Sequence, residues 1–229
     1  MSTKEEFSPA ASRAASAIAG RFPVYDPIEY AADRVVHLLS VCFAVIGSVA
    51  VIILAARYTG ALGIVAISLY AASLLAAIGF SAAYNLSPPS RAREVLRRLD
   101  HATIFFLIAG THSAITLGHA NTPYSQWLAL FAWSVALIGA ALKILYPRRF
   151  ERVAVAAYVA LGLIVFFALA PLAGSLSTAV VILVAVGAFL YVSGVAFHLW
   201  EGLRFQNAIW HALVLCAAGC HYAAVVINI

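Results

Sequence analysis

Long apolar segments separated by short polar breaks are the feature that most restricts how this chain can fold. A helix needs about 20 apolar residues to cross the hydrocarbon core of a bilayer, and each segment is close to that length. We therefore predict an all-α integral membrane protein with a bundle of seven transmembrane helices. The seven segments cover about residues 35–56, 61–83, 99–118, 125–145, 152–170, 177–198 and 207–227.

The composition excludes a soluble globular fold. Only 10% of the 229 residues are charged and 64% are hydrophobic, whereas soluble domains carry about 25% charged residues. The net charge of +5 does not indicate nucleic-acid binding, because the bases lie at the ends of apolar segments instead of on one basic face. Residues 1–24 are expected to form a polar, Ala/Ser-rich N-terminal arm, and residues 25–229 the membrane domain.

The basic residues predict which side of the membrane each loop faces. If the N-terminus is cytoplasmic, thirteen of the fourteen Lys and Arg residues fall on the cytoplasmic side and only Arg57 lies outside. Cytoplasmic loops of membrane proteins carry an excess of Lys and Arg. We therefore predict a cytoplasmic N-terminus and an external C-terminus.

Polar and ionisable side chains recur near the predicted cytoplasmic ends of four segments. Such groups are costly in or beside a membrane, and by default they indicate a functional site. In three of the segments a spacing of four residues places them on one helix face. We predict that they line one polar cavity open to the cytoplasm; the alternative interpretation treats each as an interfacial helix cap. The residues are Glu29, Asp33 and His37, Ser81 and Asn85, Asp100 and His101, and Asn207 and His211.

Three stretches resemble motifs of the bacterial hemolysin III proteins, relatives of the progestin and adiponectin receptors. Residues 100–111, DHATIFFLIAGT, resemble the family's D-H-x-x-I-y-x-L-I-A-G-T. Residues 207–211, NAIWH, followed ten residues later by His221, resemble H-A-I-W-H with its downstream histidine. Glu29, Asp33 and His37 resemble E-x-x-x-N-x-x-x-H. The resemblance covers about residues 25–229.

The resemblance implies a seven-helix protein of the bacterial inner membrane with a zinc site near its cytoplasmic side. In the family, one zinc histidine ends the second span in S-x-x-x-H, and two more come from H-x-x-x-H in the seventh. An aspartate that opens the third span lies beside the metal-bound water, so Ser81 and Asp100 are the candidate catalytic residues here. The relation to alkaline ceramidases implies metal-assisted amide hydrolysis, in which zinc lowers the pKa of bound water to about 7.

This chain departs from the family pattern at the zinc ligands. Asn85 stands where S-x-x-x-H has its histidine, and Asn207 stands where the seventh span has its first histidine. His211 is the family ligand that remains. Catalytic zinc usually has three protein ligands drawn from His, Cys and carboxylate, and a neutral carboxamide is a poor donor. We therefore expect zinc binding at these positions to be weak or absent.

Two arrangements could take the place of the family zinc site. In the first, both asparagines join Ser81, Asp100 and His211 in a metal-free polar network that holds water or a weakly bound cation. In the second, Asp33 and His37 rebuild a metal site together with Asp100 and His211. The sequence alone does not show whether these side chains converge.

Three functions remain open at this point. The first is a catalytically silent lipid-binding or sensor protein; the alternatives are a metal-dependent, ceramidase-like hydrolase and a pore-forming, cytolytic protein. A pore requires polar residues across the whole membrane, whereas here they concentrate in the cytoplasmic half. Retinal is not expected, because residues 207–229 contain no lysine to attach it. Membrane lipids are the expected partners, and the sequence specifies neither the ligand nor the oligomeric state.

Overall fold

The computed structural model describes residues 20, 22–117, 122–146, 148–149 and 151–229, and the regular elements in these ranges are all helices. Seven α-helices and one 3-10 helix lie within those ranges. The predicted N-terminal arm falls almost entirely outside them. The α-helices are α1 Pro27–Tyr58, α2 Ala61–Leu86, α3 Arg91–Leu117, α4 Pro123–Leu145, α5 Glu151–Phe167, α6 Thr178–His198 and α7 Gln206–Ile227, and the 3-10 helix is Ala170–Ser175.

Five of the helices are long and apolar enough to cross a membrane, namely α1, α2, α4, α6 and α7. Their most apolar windows have mean hydropathies between 1.6 and 2.8. Many of their large apolar side chains, such as Ile46 and Phe189, are exposed, as a lipid-facing surface requires. The protein is therefore a multi-pass, all-helical membrane protein. Helices α3 and α5 do not belong to this group of five, because α3 carries polar residues such as Asp100, His101 and His112 along its apolar part and α5 has only 17 residues.

The helices follow the predicted segments closely, but α1 and α3 each begin eight residues earlier than predicted, at Pro27 and Arg91. α1 begins at Pro27 because Asp26 and Glu29 form a capping box: Asp26 Oδ1 accepts the Glu29 N–H at 2.9 Å, and Glu29 Oε2 accepts the Asp26 N–H at 3.0 Å. α3 begins at Arg91, and the Ser90 hydroxyl accepts the Arg93 N–H at 3.1 Å. The arginines before residue 99 are therefore helical, although they lie before the predicted third segment.

Contacts between helix ends show that the helices alternate in direction. At one end, three ion pairs connect these elements. One joins α3 to α5, one joins the α4–α5 loop to α3, and one joins the α6–α7 loop to the residue that caps α1. At the opposite end, the Tyr124 hydroxyl donates to Ala168 O at 2.9 Å and Asn228 Nδ2 donates to Ile115 O at 2.8 Å. The N-termini of α1, α3, α5 and α7 therefore share one end of the bundle. The three ion pairs are Arg97–Glu151, Arg148–Glu94 and Arg204–Asp26.

Small residues allow close packing on one side of the bundle. A Cβ atom added to Gly110 of α3 would lie 3.1 Å from the Tyr70 Cα atom of α2, so the two helices meet almost backbone to backbone. Tyr70 and Leu74 are fully buried beside this contact. Such small-residue interfaces are how helices pack where lipid provides no hydrophobic driving force. Between α3, α5, α6 and α7 the packing instead leaves a cavity.

Candidate functional site

Polar residues of α1, α2 and α7 meet at the end of the bundle that carries the ion pairs. The Nδ1 atom of His211 is 2.7 Å from Asp33 Oδ1, and Asn207 Nδ2 donates to Asp33 Oδ2 at 2.9 Å. Asn207 Nδ2 also donates to Asn85 Oδ1 at 3.3 Å. The Asp33 carboxylate is therefore the centre of a hydrogen-bonded network that joins three helices.

His37 completes a compact cluster with Asp33 and His211. It lies one turn along α1 from Asp33, with its Nε2 atom 3.5 Å from Asp33 Oδ2 and its ring centroid 4.2 Å from that of His211. Asp33, His37 and His211 are 6%, 2% and 7% exposed. One ligand atom from each residue lies within 4.8 Å of the other two. These three side chains could hold a metal ion, which is the convergence of α1 and α7 that the sequence left open.

Glu29 fixes the start of α7 against the start of α1. Its Oε1 atom accepts the Phe205 N–H at 2.7 Å, and its Oε2 atom accepts the Asp26 N–H at 3.0 Å. Phe205 has φ 61°, a left-handed backbone conformation that costs about 1–3 kcal/mol outside glycine. The Glu29 carboxylate holds this strained residue in place, and so sets the register in which Asn207 and His211 face Asp33.

Two groups just before α1 have shifted pKa values. The hydrogen bond from the Glu29 N–H lowers the pKa of Asp26, and the Arg204 guanidinium acts in the same direction. Burial raises the pKa of Tyr25 to about 12. Asp26 therefore stays ionised, and stays a helix cap, at a lower pH than an ordinary aspartate.

Ser81, Asp100 and His101 line the α2 and α3 side of the same space. The Asp100 carboxyl lies beside the Ser81 hydroxyl, and Asn85 Nδ2 donates to Ser81 O at 3.0 Å. The backbone oxygen of His101 accepts a hydrogen bond from the Tyr158 hydroxyl of α5 at 3.2 Å. Among the described residues, Asp100 is not part of the compact metal-ligand cluster, so the rebuilt arrangement contains Asp33, His37 and His211 without it.

A cavity of about 1060 Å³ runs from this polar end into the bundle. It also reaches the exposed residues Val24 and Glu201 at the end of the molecule. Small-molecule sites of about 300–1,000 Å³ typically combine apolar walls with a few convergent polar groups, and this cavity has that character, although His112 and His221 add polar groups at depth. Its apolar walls include Leu107, Ile115, Phe166, Leu169, Val184 and Val214.

Charged residues that the motifs do not include surround the mouth of the cavity. Lys143 is buried, with its Nζ atom 3.9 Å from Glu151 Oε1. The Arg93 guanidinium lies 4.5 Å from the ring centroid of Phe22 and 5.2 Å from that of Tyr84. A lysine inside an apolar segment was a usable sequence signal for Lys143, whereas no local pattern identifies the aromatic partners of Arg93.

The fold and the site together define a class: an all-helical, multi-pass membrane protein with a buried polar cluster at one end of its bundle. Residues 32–222 match the haemolysin-III related family. Since this match covers most of the chain, the protein belongs to that family.

The relatives include bacterial and animal proteins. The chain is 32% identical to the Hemolysin-3 homolog of Bacillus subtilis (strain 168) over 187 residues, 82% of this chain and 88% of that protein. It is 30% identical to Hemolysin-3 of Bacillus cereus over 187 residues, 82% and 85% of the two chains. It is 29% identical to the human monocyte to macrophage differentiation factor over 128 residues, 55% and 52% of the two chains. No solved structure matches the chain with statistical significance.

The family zinc position does not fit the residues present. Asn207 donates to both Asn85 and Asp33, so the amides at the two altered positions are engaged in hydrogen bonds. His211 is left as the one imidazole among those three positions, and its Nδ1 atom is engaged with Asp33. One imidazole and two carboxamides are not a zinc donor set. Asn85, Asn207 and His211 are therefore not suited to hold zinc between them.

Proposed function

We propose that this protein binds a single-chain amphiphile, with the polar head at the cluster end of the cavity and the hydrocarbon chain along its apolar walls. The observation that carries this proposal is the shape of the cavity, which joins the polar residues near Asp33 and Asp100 to the apolar walls deeper in the bundle. A molecule with one polar end and one apolar end matches both parts of such a space.

The head group must supply the selectivity of binding. An acyl chain gains little by moving from the bilayer into the cavity, because both surroundings are apolar. The polar end offers side chains of both hydrogen-bonding kinds, a donor at Ser81 and an acceptor at Asp100. We assign Ser81, Asp100 and His101 to head-group contacts, and Glu29 to positioning α7.

We also propose that the chain has seven spans with a cytoplasmic N-terminus in the bacterial inner membrane. Helix α4 ends, and α6 begins, at opposite ends of the bundle, which supports a crossing by α5 between them. Its 17 residues extend about 26 Å, and the 3-10 helix that follows adds to this span. Arginines and a lysine gather at the end that carries the cluster, which is the arrangement expected of a cytoplasmic surface.

Binding of a fluorescent single-chain amphiphile, a sphingosine analogue, to the full-length protein in lipid nanodiscs tests the proposal. Saturable binding is expected, and Val214→Trp should weaken it at least about tenfold, because the indole fills the apolar part of the cavity. Val49→Trp is the matched control, since Val49 lies exposed on α1 and should leave binding unchanged. Probe uptake that never saturates, or equal binding by the two variants, would count against the proposal.

A metal-dependent hydrolase is the second candidate, and one observation favours it. The Asp33, His37 and His211 cluster lies at the same end of the cavity as Ser81 and Asp100, the residues that the family resemblance makes catalytic. Turnover of a fluorogenic ceramide analogue that disappears with a chelator, and also with Asp100→Asn, would support it. Binding of the amphiphile without turnover would leave the first proposal in place. No observation of this kind favours pore formation, because the polar cluster lies at one end of the cavity and its deeper walls are mostly apolar.

A further inference from the structure

We infer that Asp33, His37 and His211 form a binding site for a divalent transition-metal ion, at a place that differs from the zinc position of the family motifs. The site brings together two residues one turn apart on α1 and one residue of α7. It goes beyond the proposed amphiphile binding, and it stands or falls without it.

The donor set is suited to such an ion. Two imidazoles and one carboxylate are the protein ligands of many catalytic zinc sites, which leave a further position open for water. The same set on one face of an ion is typical of non-haem iron sites. His37 and His211 both line the cavity, so an open coordination position would face that space.

The spacing of the ligand atoms also fits. Ligands that lie about 2.0–2.2 Å from zinc in a tetrahedral site are roughly 3–3.5 Å from one another. Asp33 Oδ1 is 2.7 Å from His211 Nδ1, and Asp33 Oδ2 is 3.5 Å from His37 Nε2. One ligand atom from each of the three residues lies within 4.8 Å of the other two, so side-chain rotations can bring all three to one ion. The ion takes the place of the hydrogen bond between Asp33 and His211, and His211 then carries its ring hydrogen on Nε2, because a neutral imidazole binds a metal through one nitrogen and keeps its hydrogen on the other.

An unpartnered nitrogen independently points to a ligand at this place. His37 is 2% exposed, and its Nε2 atom has no hydrogen-bond partner among the described residues. Buried polar atoms are nearly always satisfied by protein or by an ordered ligand or water. This nitrogen lies 3.5 Å from Asp33 Oδ2, beyond a good hydrogen bond but in reach of an ion held by the same carboxylate.

The charge of the cluster points the same way. Among the described residues, the ion pairs of Asp33 are with two histidines and with no lysine or arginine. A buried carboxylate is costly unless a positive charge compensates it. A divalent cation provides that charge without requiring either imidazole to be protonated.

Asn207 acquires a positioning role in this site. Its Nδ2 atom donates to Asp33 Oδ2 at 2.9 Å, which orients the carboxylate toward the histidines. Outer partners of this kind typically change metal affinity about 10–100-fold. Asn207, which replaces a zinc ligand of the family, thus orients the neighbouring ligand Asp33. Relative to the motifs quoted above, the chain has lost two imidazoles and gained one carboxylate, at position 33, within the same network.

A cobalt titration of the full-length protein in detergent tests the inference. After treatment with a chelator and its removal, Co²⁺ should give visible absorption bands that saturate at a single equivalent, and Zn²⁺ should displace it. His37→Gln should weaken Co²⁺ binding about 100-fold or more, and Asn207→Ala about 10–100-fold. His112→Gln is the matched control, because it removes a buried histidine outside the cluster and should leave the titration unchanged.

A second variant covers the case in which His37→Gln fails to fold. His37→Cys keeps a metal ligand, so Co²⁺ should bind and add a thiolate charge-transfer band in the near ultraviolet. A wild-type protein with no saturable Co²⁺ spectrum, or a His37→Cys protein that binds Co²⁺ without that band, would overturn the inference. Neither measurement uses an amphiphile, so failure here is distinct from failure of the proposed binding function.

Discussion

The two walls of the polar end carry similar side chains in different surroundings. On the α1/α7 wall, Asp33 is buried and bonded to His211 and Asn207. On the α2/α3 wall, Asp100 faces the cavity beside Ser81. An aspartate that is fully engaged within the protein is suited to holding a fixed group, whereas one that faces open space is suited to meeting a ligand. The two acids lie at the same end of the bundle, and it is their neighbours that distinguish them.

The largest expected contrast is between Asp33→Ala and Asp100→Ala. Asp33→Ala should lower the free energy of unfolding by about 3–5 kcal/mol, because it removes one partner of a buried pair and leaves the other unpaired. Asp100→Ala should cost no more than about 1 kcal/mol, because the cavity can supply replacement water. Unfolding in mixed micelles with a chelator present measures both. Equal losses for the two variants would remove the distinction between the walls.

A smaller contrast is expected between Glu29→Gln and Tyr158→Phe. Glu29→Gln weakens the charge-assisted hydrogen bonds to the Phe205 and Asp26 N–H groups, and we expect a loss of about 1 kcal/mol. Tyr158→Phe removes one neutral hydrogen bond of 3.2 Å to His101 O on the other wall, and should cost about half as much. Thermal unfolding of the two variants side by side measures this order, and a reversed order would show that the α2/α3 wall depends more on its contacts.

The smallest expected effect is a pH dependence that belongs to the α1/α7 wall. The pKa of Asp26 is lowered in the folded protein, chiefly by the Glu29 N–H. Its stabilising contribution is therefore fully present above the ordinary aspartate pKa and is lost as the pH falls through the lowered value. Asp26→Asn should flatten this acid-side decline in melting temperature and change little near neutral pH. If the melting temperature of Asp26→Asn falls with pH as steeply as that of the wild type, other acids are responsible for the decline.

Much of the fold could be predicted from hydrophobicity, because a helix that faces lipid has to be apolar along its length. The start of α3 could not, because Arg91 and Arg93 follow a Pro-Pro pair and resemble a loop until Ser90 is seen to cap the helix.

The candidate site was predicted in part. Four-residue spacing placed Asp33 and His37 on one face, but their meeting with α7 depends on packing between residues 174 positions apart. No local pattern contains that information.

The contact between the first and last helices also has a consequence for biogenesis. α1 is synthesised and inserted long before Asn207 and His211 leave the ribosome, so Asp33 must enter the membrane region without its partners. An unpaired aspartate in a helix is costly to insert, by about 2.5–3.5 kcal/mol at the membrane centre and less toward the interface. We expect α1 to sit shallowly at first and to settle when α7 arrives. The final helix then completes the packing of the bundle. A chain that ends before Gln206 should assemble poorly and should be degraded readily by membrane proteases.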